Sequence, residues 1–193
     1  MSNEIEYRSA QALHPDGDKA IVRGQAIVFG QETVLGKDRF GTEYREVVEP
    51  GSFDGVDLSG VTLKYNHSKD KAAVLARQSD KSLVLEQRST GLLFAAELRS
   101  NLGKDVYAAV KSGDISGCSF GFFCAKDHYE QRSTCIVRHI DKFEKLNEIS
   151  IVDDPAYKQT TVEARSGSHT PEWISTHEKQ QEERQRLLLL TYC

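Results

Sequence analysis

The chain has 193 residues, of which 38% are hydrophobic and 28% charged, with a formal net charge of −4. That is enough chain for one domain with a substantial core plus appendages, in an ordinary soluble composition. The acidic balance disfavours a nucleic-acid binder, which carries a basic face, and the longest late apolar run, Leu187–Leu190, is far too short to span a membrane.

The opening MSNEIEYRSA carries acidic residues and no apolar core, so it does not read as a secretory signal. Residues 1–19, with Pro15 and Gly17, read as a flexible leader, and residues 20–163 as the core domain. Ala20–Phe29 reads as a strand, Glu32–Thr42 as a loop with Gly36 and Gly41, and Tyr44–Val48 as a short strand ended by Pro50-Gly51. In Val61–Asn66 the residues Val61, Leu63 and Tyr65 share one face. Ala73–Arg77, Ser82–Glu86 and Gly91–Leu98 continue at the spacing of an antiparallel meander. One helix is expected after an N-cap at Asn101: Leu102, Val106, Ala109 and Val110 recur at helical spacing, and Gly113 terminates it. Strands follow over Ser119–Ala125, Thr134–Ile140 and Lys145–Val152. From Ala164 the composition turns polar and charged, so 164–193 reads as a hinge and a helical tail outside the core. The four cysteines, Cys118, Cys124, Cys135 and Cys193, show no C-x-x-C spacing and read as reduced thiols of a cytosolic protein.

The segment Gly117-Cys118-Ser119-Phe120-Gly121 matches G-x-S-x-G. In α/β-hydrolases that pattern is a strand–turn–helix elbow within βαβ units. Here a helix precedes and a strand follows, so the elbow reading fails, and Ser119 stands as either a nucleophile or a turn residue. A serine nucleophile needs a base within hydrogen-bond reach. Of the six histidines, His14 lies in the leader, His177 in the tail, and His128 in the polar, loop-like KDHYEQR. His67 and His139 remain, each at the apolar face of a strand, where a hydrogen-bonded histidine without catalytic work is the ordinary reading. A third group should orient the imidazole. Glu148 shares a face with Leu146, Ser150 and Val152. It is a buried, paired carboxylate if that face points inward and a solvent-side residue if it does not. Cys124, His128, Cys135 and His139 have ligand-capable side chains, but without the tight cysteine pairs of a structural zinc site; no metal and no cofactor are expected.

Seven blocks, taken in order, are more specific than any one motif: RGQAIVFG, VVEPGSF, LKYNHS, VLAR, GLLFAAEL, DVYAAVKSGDISGCSFGF and LNEISIVDDPAY. Together they resemble the prohead maturation proteases of tailed bacteriophages, of the HK97-like type, over about Ala20–Val162. The resemblance implies a serine endopeptidase related in fold to the herpesvirus assemblins. Its fold class would be α+β and β-rich, an antiparallel barrel-like sheet with surrounding helices. The family histidine falls on His67 and the family serine on Ser119, with Ser116 too early for the block. The glutamate of the L-x-E-x-S block falls on Glu148, and His139 competes as third member, because assemblin-like enzymes use a second histidine. Cys118 stands where the family often has methionine. Oxyanion donors are expected near Gly117 or Arg77–Ser79.

The resemblance also implies partners. They are the major capsid protein with its scaffold or scaffold-like segment, and the protease itself through autocleavage. The place of action would be the assembling prohead in the host cytoplasm. A homodimer is a family-level expectation; no nucleic acid and no membrane are expected as partners. The rival reading is a non-enzymatic capsid-assembly module of the same fold.

Overall fold

The computed structural model describes residues 6–10, 13–16, 19–153, 179–180 and 182–183. The hinge expected after Ala164, and the tail apart from those four residues, lie outside the described residues. Twelve elements follow in chain order: β1 (Glu6–Ala10), β2 (Leu13–Asp16), β3 (Ile21–Val28), β4 (Thr33–Lys37), β5 (Glu43–Val48), β6 (Thr62–Tyr65), β7 (Val74–Arg77), β8 (Leu83–Arg88), β9 (Gly91–Glu97), α1 (Asn101–Ser112), β10 (Gly117–Gln131) and β11 (Cys135–Val152).

The strands make two sheets. One runs β2-β3-β9-β8. The other has seven strands in the path β1-β10-β11-β5-β4, with β6 also on β11 and β7 on β6. Apolar residues of β3 (Val22, Ala26, Ile27) and β9 (Leu92, Phe94, Ala96) share one core with Phe120, Phe122, Ile149 and Ile151 of β10 and β11. Phe143 is the hub of the aromatic part, 4.1 Å from Phe53 and 4.6 Å from Phe122 between ring centroids. Each such side chain contributes about 1.5–3 kcal/mol by leaving water. Gly91 opens β9 at φ +146°, and a Cβ there would lie 1.9 Å from the Ile27 carbonyl oxygen. Only glycine lets β9 start this close to β3.

The β-rich core and the helix after Ser100 agree with expectation, while three features correct it. The large sheet is mixed rather than antiparallel: β5 and β6 both lie parallel to β11. The reason is length. β11 has 18 residues, so two short strands dock end to end along one of its edges, at 135–140 and 148–151. Accordingly the two sheets stay open and do not close into a barrel, and among the described core residues α1 is the lone α-helix rather than one of several surrounding the sheet.

Local differences have local causes. Ser100, not Asn101, caps α1, its hydroxyl accepting from the Gly103 N–H at 3.0 Å. Gly113 ends the helix in the left-handed region at φ +86°. Thr33–Lys37, expected as loop, is an edge strand with a bulge at Leu35-Gly36. The polar stretch around His128, also expected as loop, continues β10 as a ribbon with β11. Cross-strand pairs hold that ribbon: His128 stacks on His139 at 4.5 Å, and Arg138 Nε donates to Asp127 at 2.6 Å. In the segment expected as a leader, β1 pairs with β10 and β2 with β3.

Candidate active site

Three neighbouring strands, β10–β11–β6, bring the site together. In the β10–β11 ladder Ser119 faces Ser150, and Gly121 faces Glu148. In the parallel β11–β6 ladder Glu148 pairs with Thr62 and Ser150 with Lys64. β6 then ends in a tight turn in which the Ser68 N–H donates to the Tyr65 carbonyl at 3.1 Å. Its two central residues, Asn66 and His67, have φ of 48° and 52°. Positive φ at both positions marks a type I′ turn, for which asparagine is suited and histidine tolerable. His67 therefore does not continue the alternation of β6 as expected; the turn swings its ring back over β11 toward β10.

The turn is tied to β11 on both sides. The Asn66 N–H donates to the Ile151 carbonyl at 2.9 Å, and the Asn66 side-chain oxygen accepts from the Asp153 N–H at 3.1 Å. The His67 N–H donates to Ser150 Oγ at 3.3 Å.

The side chains form a continuous line. His67 Nε2 lies 2.7 Å from Ser119 Oγ, and His67 Nδ1 lies 2.8 Å from Glu148 Oε1. The other carboxylate oxygen of Glu148 is ion-paired with Lys64 Nζ. Glu148 is 1% exposed, Ser119 4% and His67 24%, so solvent reaches the imidazole but not the groups at either end. Burial pushes the Glu148 carboxyl up, but hydrogen bonds from His67 and Lys64 outweigh it and hold the group below the ordinary carboxylate value of 4.5. Glu148 is thus an anion against His67 Nδ1–H, which leaves Nε2 as the proton acceptor facing Ser119. Strand alternation left the face of Glu148 open; here both faces of β11 are buried, Ile149 and Ile151 in the apolar core and Glu148 and Ser150 opposite them, and a bulge at Asn147 takes Leu146 out of the expected alternation with Glu148.

His139 lies elsewhere. Its Nδ1 is 2.7 Å from Glu49 Oε1 and its ring stacks on His128, whose own Nδ1 meets Asp141 at 3.0 Å. Both ring nitrogens of His67 are engaged by Ser119 and Glu148, with no place for a second imidazole between them. Ser116 is exposed, ahead of β10. Cys118, the neighbour of Ser119, points into the core, and burial pushes its thiol up to about 12, which makes it inert as a nucleophile. The expected oxyanion region is partly committed: the Arg77 N–H donates to Ser82 Oγ at 2.9 Å and the Gln78 N–H to the Val61 carbonyl at 3.4 Å. Cys124 Sγ contacts the Lys126 carbonyl, so Cys124, His128, Cys135 and His139 do not converge, and the described residues hold no group of three or more metal-ligating side chains.

Sequence reasoning did not find Lys64, Ser150 or Asn66 as parts of the site. Lys64 and Asn66 flank Tyr65 just before His67, and nothing in a lone strand's pattern shows that β11 lies beside it.

A hydroxyl, an imidazole and a buried carboxylate in hydrogen-bonded series are the working parts of a serine hydrolase. The chain belongs to the caudovirus prohead serine protease family, whose profile matches residues 4–172. It is a serine peptidase of phage capsid maturation. It is also similar to the solved structure of the bacteriophage T4 capsid assembly protease, gp21, at a TM-score of 0.44 and 11% identity, covering 79% of this chain and 100% of that one. None of the curated proteins matches the chain.

Proposed function

We propose that Ser119 is the nucleophile, His67 the general base and then acid, and Glu148 the group that orients His67. The observation that carries this reading is the unbroken line of contacts, 2.7 Å from Ser119 to His67 and 2.8 Å from His67 to Glu148. As Ser119 Oγ attacks the scissile carbonyl, its proton passes to His67 Nε2. The imidazolium then protonates the leaving amine, and water resolves the acyl-enzyme by the same route in reverse. Glu148 fixes the Nδ1–H tautomer and stabilises the imidazolium, and Lys64 fixes Glu148.

In this reading the enzyme is of the HK97-like, assemblin-related type. Its substrates are the scaffold or scaffold-like segment of the major capsid protein and the protease itself, cut inside the assembling prohead. The seven sequence blocks support this assignment.

The test is intact mass over time for the full chain and for Ser119→Ala, each with the cognate capsid protein. The expected outcome is trimming of capsid protein or protease by the unsubstituted chain alone. Equal cutting by both would remove Ser119 from the mechanism.

A further inference from the structure

β1 lies antiparallel along the free edge of β10, in the register Arg8↔Phe120 and Ser9↔Ser119. Addition of an extended strand to a sheet edge is a general mode of peptide capture. Here it delivers a particular peptide group to the nucleophile: the Arg8 carbonyl oxygen accepts from Ser119 Oγ at 2.7 Å. Ser119 has one hydroxyl proton, and the Arg8 carbonyl and His67 Nε2 stand equally near it. A carbonyl that holds that proton keeps it from the base.

The Arg8 side chain is buried as well. Its Nε and Nη2 meet the two carboxylate oxygens of Glu46 at 2.5 and 2.7 Å, a bidentate fork, and its guanidinium lies 5.6 Å from the Phe122 ring centroid. Glu46 also accepts from Arg138 Nη1 at 3.2 Å, while Arg138 Nε donates to Asp127 at 2.6 Å. Among the described residues this cluster holds two carboxylates and two guanidiniums. Without Arg8 it carries an uncompensated negative charge in a buried place. A buried acid of that kind has high affinity for a replacement cation.

We infer that β1 occupies the groove of the substrate strand, and that Glu46, with Phe122 as its floor, is the subsite for an arginine immediately before the scissile bond. The inference rests on Ser119 as nucleophile, since that defines which peptide group is scissile. β1 is then a competitor held in cis, seated with its carbonyl oxygen on the serine hydroxyl. The planar fork of Glu46 contacts favours arginine over lysine.

The test uses the full chain and a labelled peptide of residues 4–13, EIEYRSAQAL, beside the same peptide with glutamine at Arg8. Binding is read by fluorescence anisotropy in chains carrying Arg8→Ala, which vacates the subsite, and Ser119→Ala, which prevents turnover. The arginine peptide is expected to bind on the order of a hundredfold more tightly than the glutamine peptide, and Glu46→Gln to abolish the difference. The chain carrying Ser119→Ala alone, with Arg8 in place, gives the same ranking at millimolar peptide, where the peptide overcomes the tethered competitor, so the result does not depend on folding of the Arg8→Ala variant. Equal binding of the two peptides, or no binding of either, overturns the inference.

Cleavage with Ser119 intact separates this inference from the catalytic reading. Arginine-dependent binding without any cut keeps the subsite and removes Ser119 from catalysis. Ser119-dependent cutting of both peptides alike keeps the nucleophile and removes the subsite.

Discussion

Replacing Glu148 by glutamine changes almost no volume, yet should remove most of the activity, because Lys64 dictates how the new amide must sit. One carboxylate oxygen of Glu148 is ion-paired with Lys64 and the other is 2.8 Å from His67 Nδ1. An ammonium can only donate, so in Glu148→Gln the amide oxygen turns to Lys64 and the NH2 turns to His67. A donor against Nδ1 selects the tautomer with its proton on Nε2. That nitrogen then donates to Ser119 instead of accepting from it. Loss of the correct tautomer in a triad costs about 10⁴ in kcat, or ~5.5 kcal/mol of transition-state stabilisation. The assay is kcat and KM for cleavage of a capsid-protein segment. KM should change little, because the substitution touches no substrate. The stronger check is the double substitution Lys64→Met with Glu148→Gln. Without the ammonium the amide is free to flip its oxygen toward Nδ1–H, and activity should rise at least about tenfold over Glu148→Gln alone. Glu148→Gln within tenfold of the unsubstituted chain would refute the orienting role. Failure of Lys64→Met to recover any activity would refute the account of how the amide is aimed.

The depressed Glu148 carboxyl also makes stability depend on pH. A group whose folded value lies below its ordinary value of 4.5 contributes fully above that pH and loses the contribution as pH falls through the folded value. In acid titrations followed by circular dichroism, the stability difference between the unsubstituted chain and Glu148→Gln should therefore shrink below about pH 4.5. Cys118, with its thiol pushed up to about 12, should resist alkylation in the folded chain at neutral pH and react on unfolding; fast labelling of Cys118 in mass spectrometry would contradict its core position. At Asn66, with φ 48° and its side-chain oxygen accepting from the Asp153 N–H, alanine should cost about 2 kcal/mol in chemical denaturation, part strain and part lost hydrogen bond. Asn66→Gly should recover the strain portion alone, and kcat should fall in both variants as the His67 turn loosens.

Much of the proposed site was legible because its chemistry is local to motifs. Ser119 in its glycine-flanked block, His67 in LKYNHS and Glu148 in LNEIS were each recognisable as residue types able to do the work. Their convergence was not legible, because it depends on pairing between strands far apart in sequence. Nothing in residues 62–65 states that they lie parallel to residues 148–151. The same limit explains the antiparallel expectation. A meander spacing describes neighbours in sequence, and β5 and β6 instead share the edge of a late, long strand. β10 beyond Ala125 was hidden for a different reason: its residues are exposed and charged, and what keeps them extended is the facing segment of β11, through pairs such as Asp127 with Arg138.

The placement of His67 shows why so much of the arrangement has to come from β11. A histidine at φ 52° beside an asparagine at φ 48° is held in sparsely populated backbone, at a cost on the order of 1 kcal/mol or more for each residue. Such a turn persists only when its surroundings fix it. Here β11 and the residue that follows it supply several such contacts: the Ile151 carbonyl and Asp153 N–H to Asn66, Ser150 Oγ to the His67 N–H, and Glu148 to the His67 ring. β11 also sets the position of Ser119 through the ladder that pairs it with Ser150. One strand thus references the proposed base, its orienting acid and the proposed nucleophile to the same backbone. Motion of the β6 turn relative to β10 must then break contacts with β11, so the 2.7 Å between His67 and Ser119 is built into the sheet rather than assembled when substrate arrives.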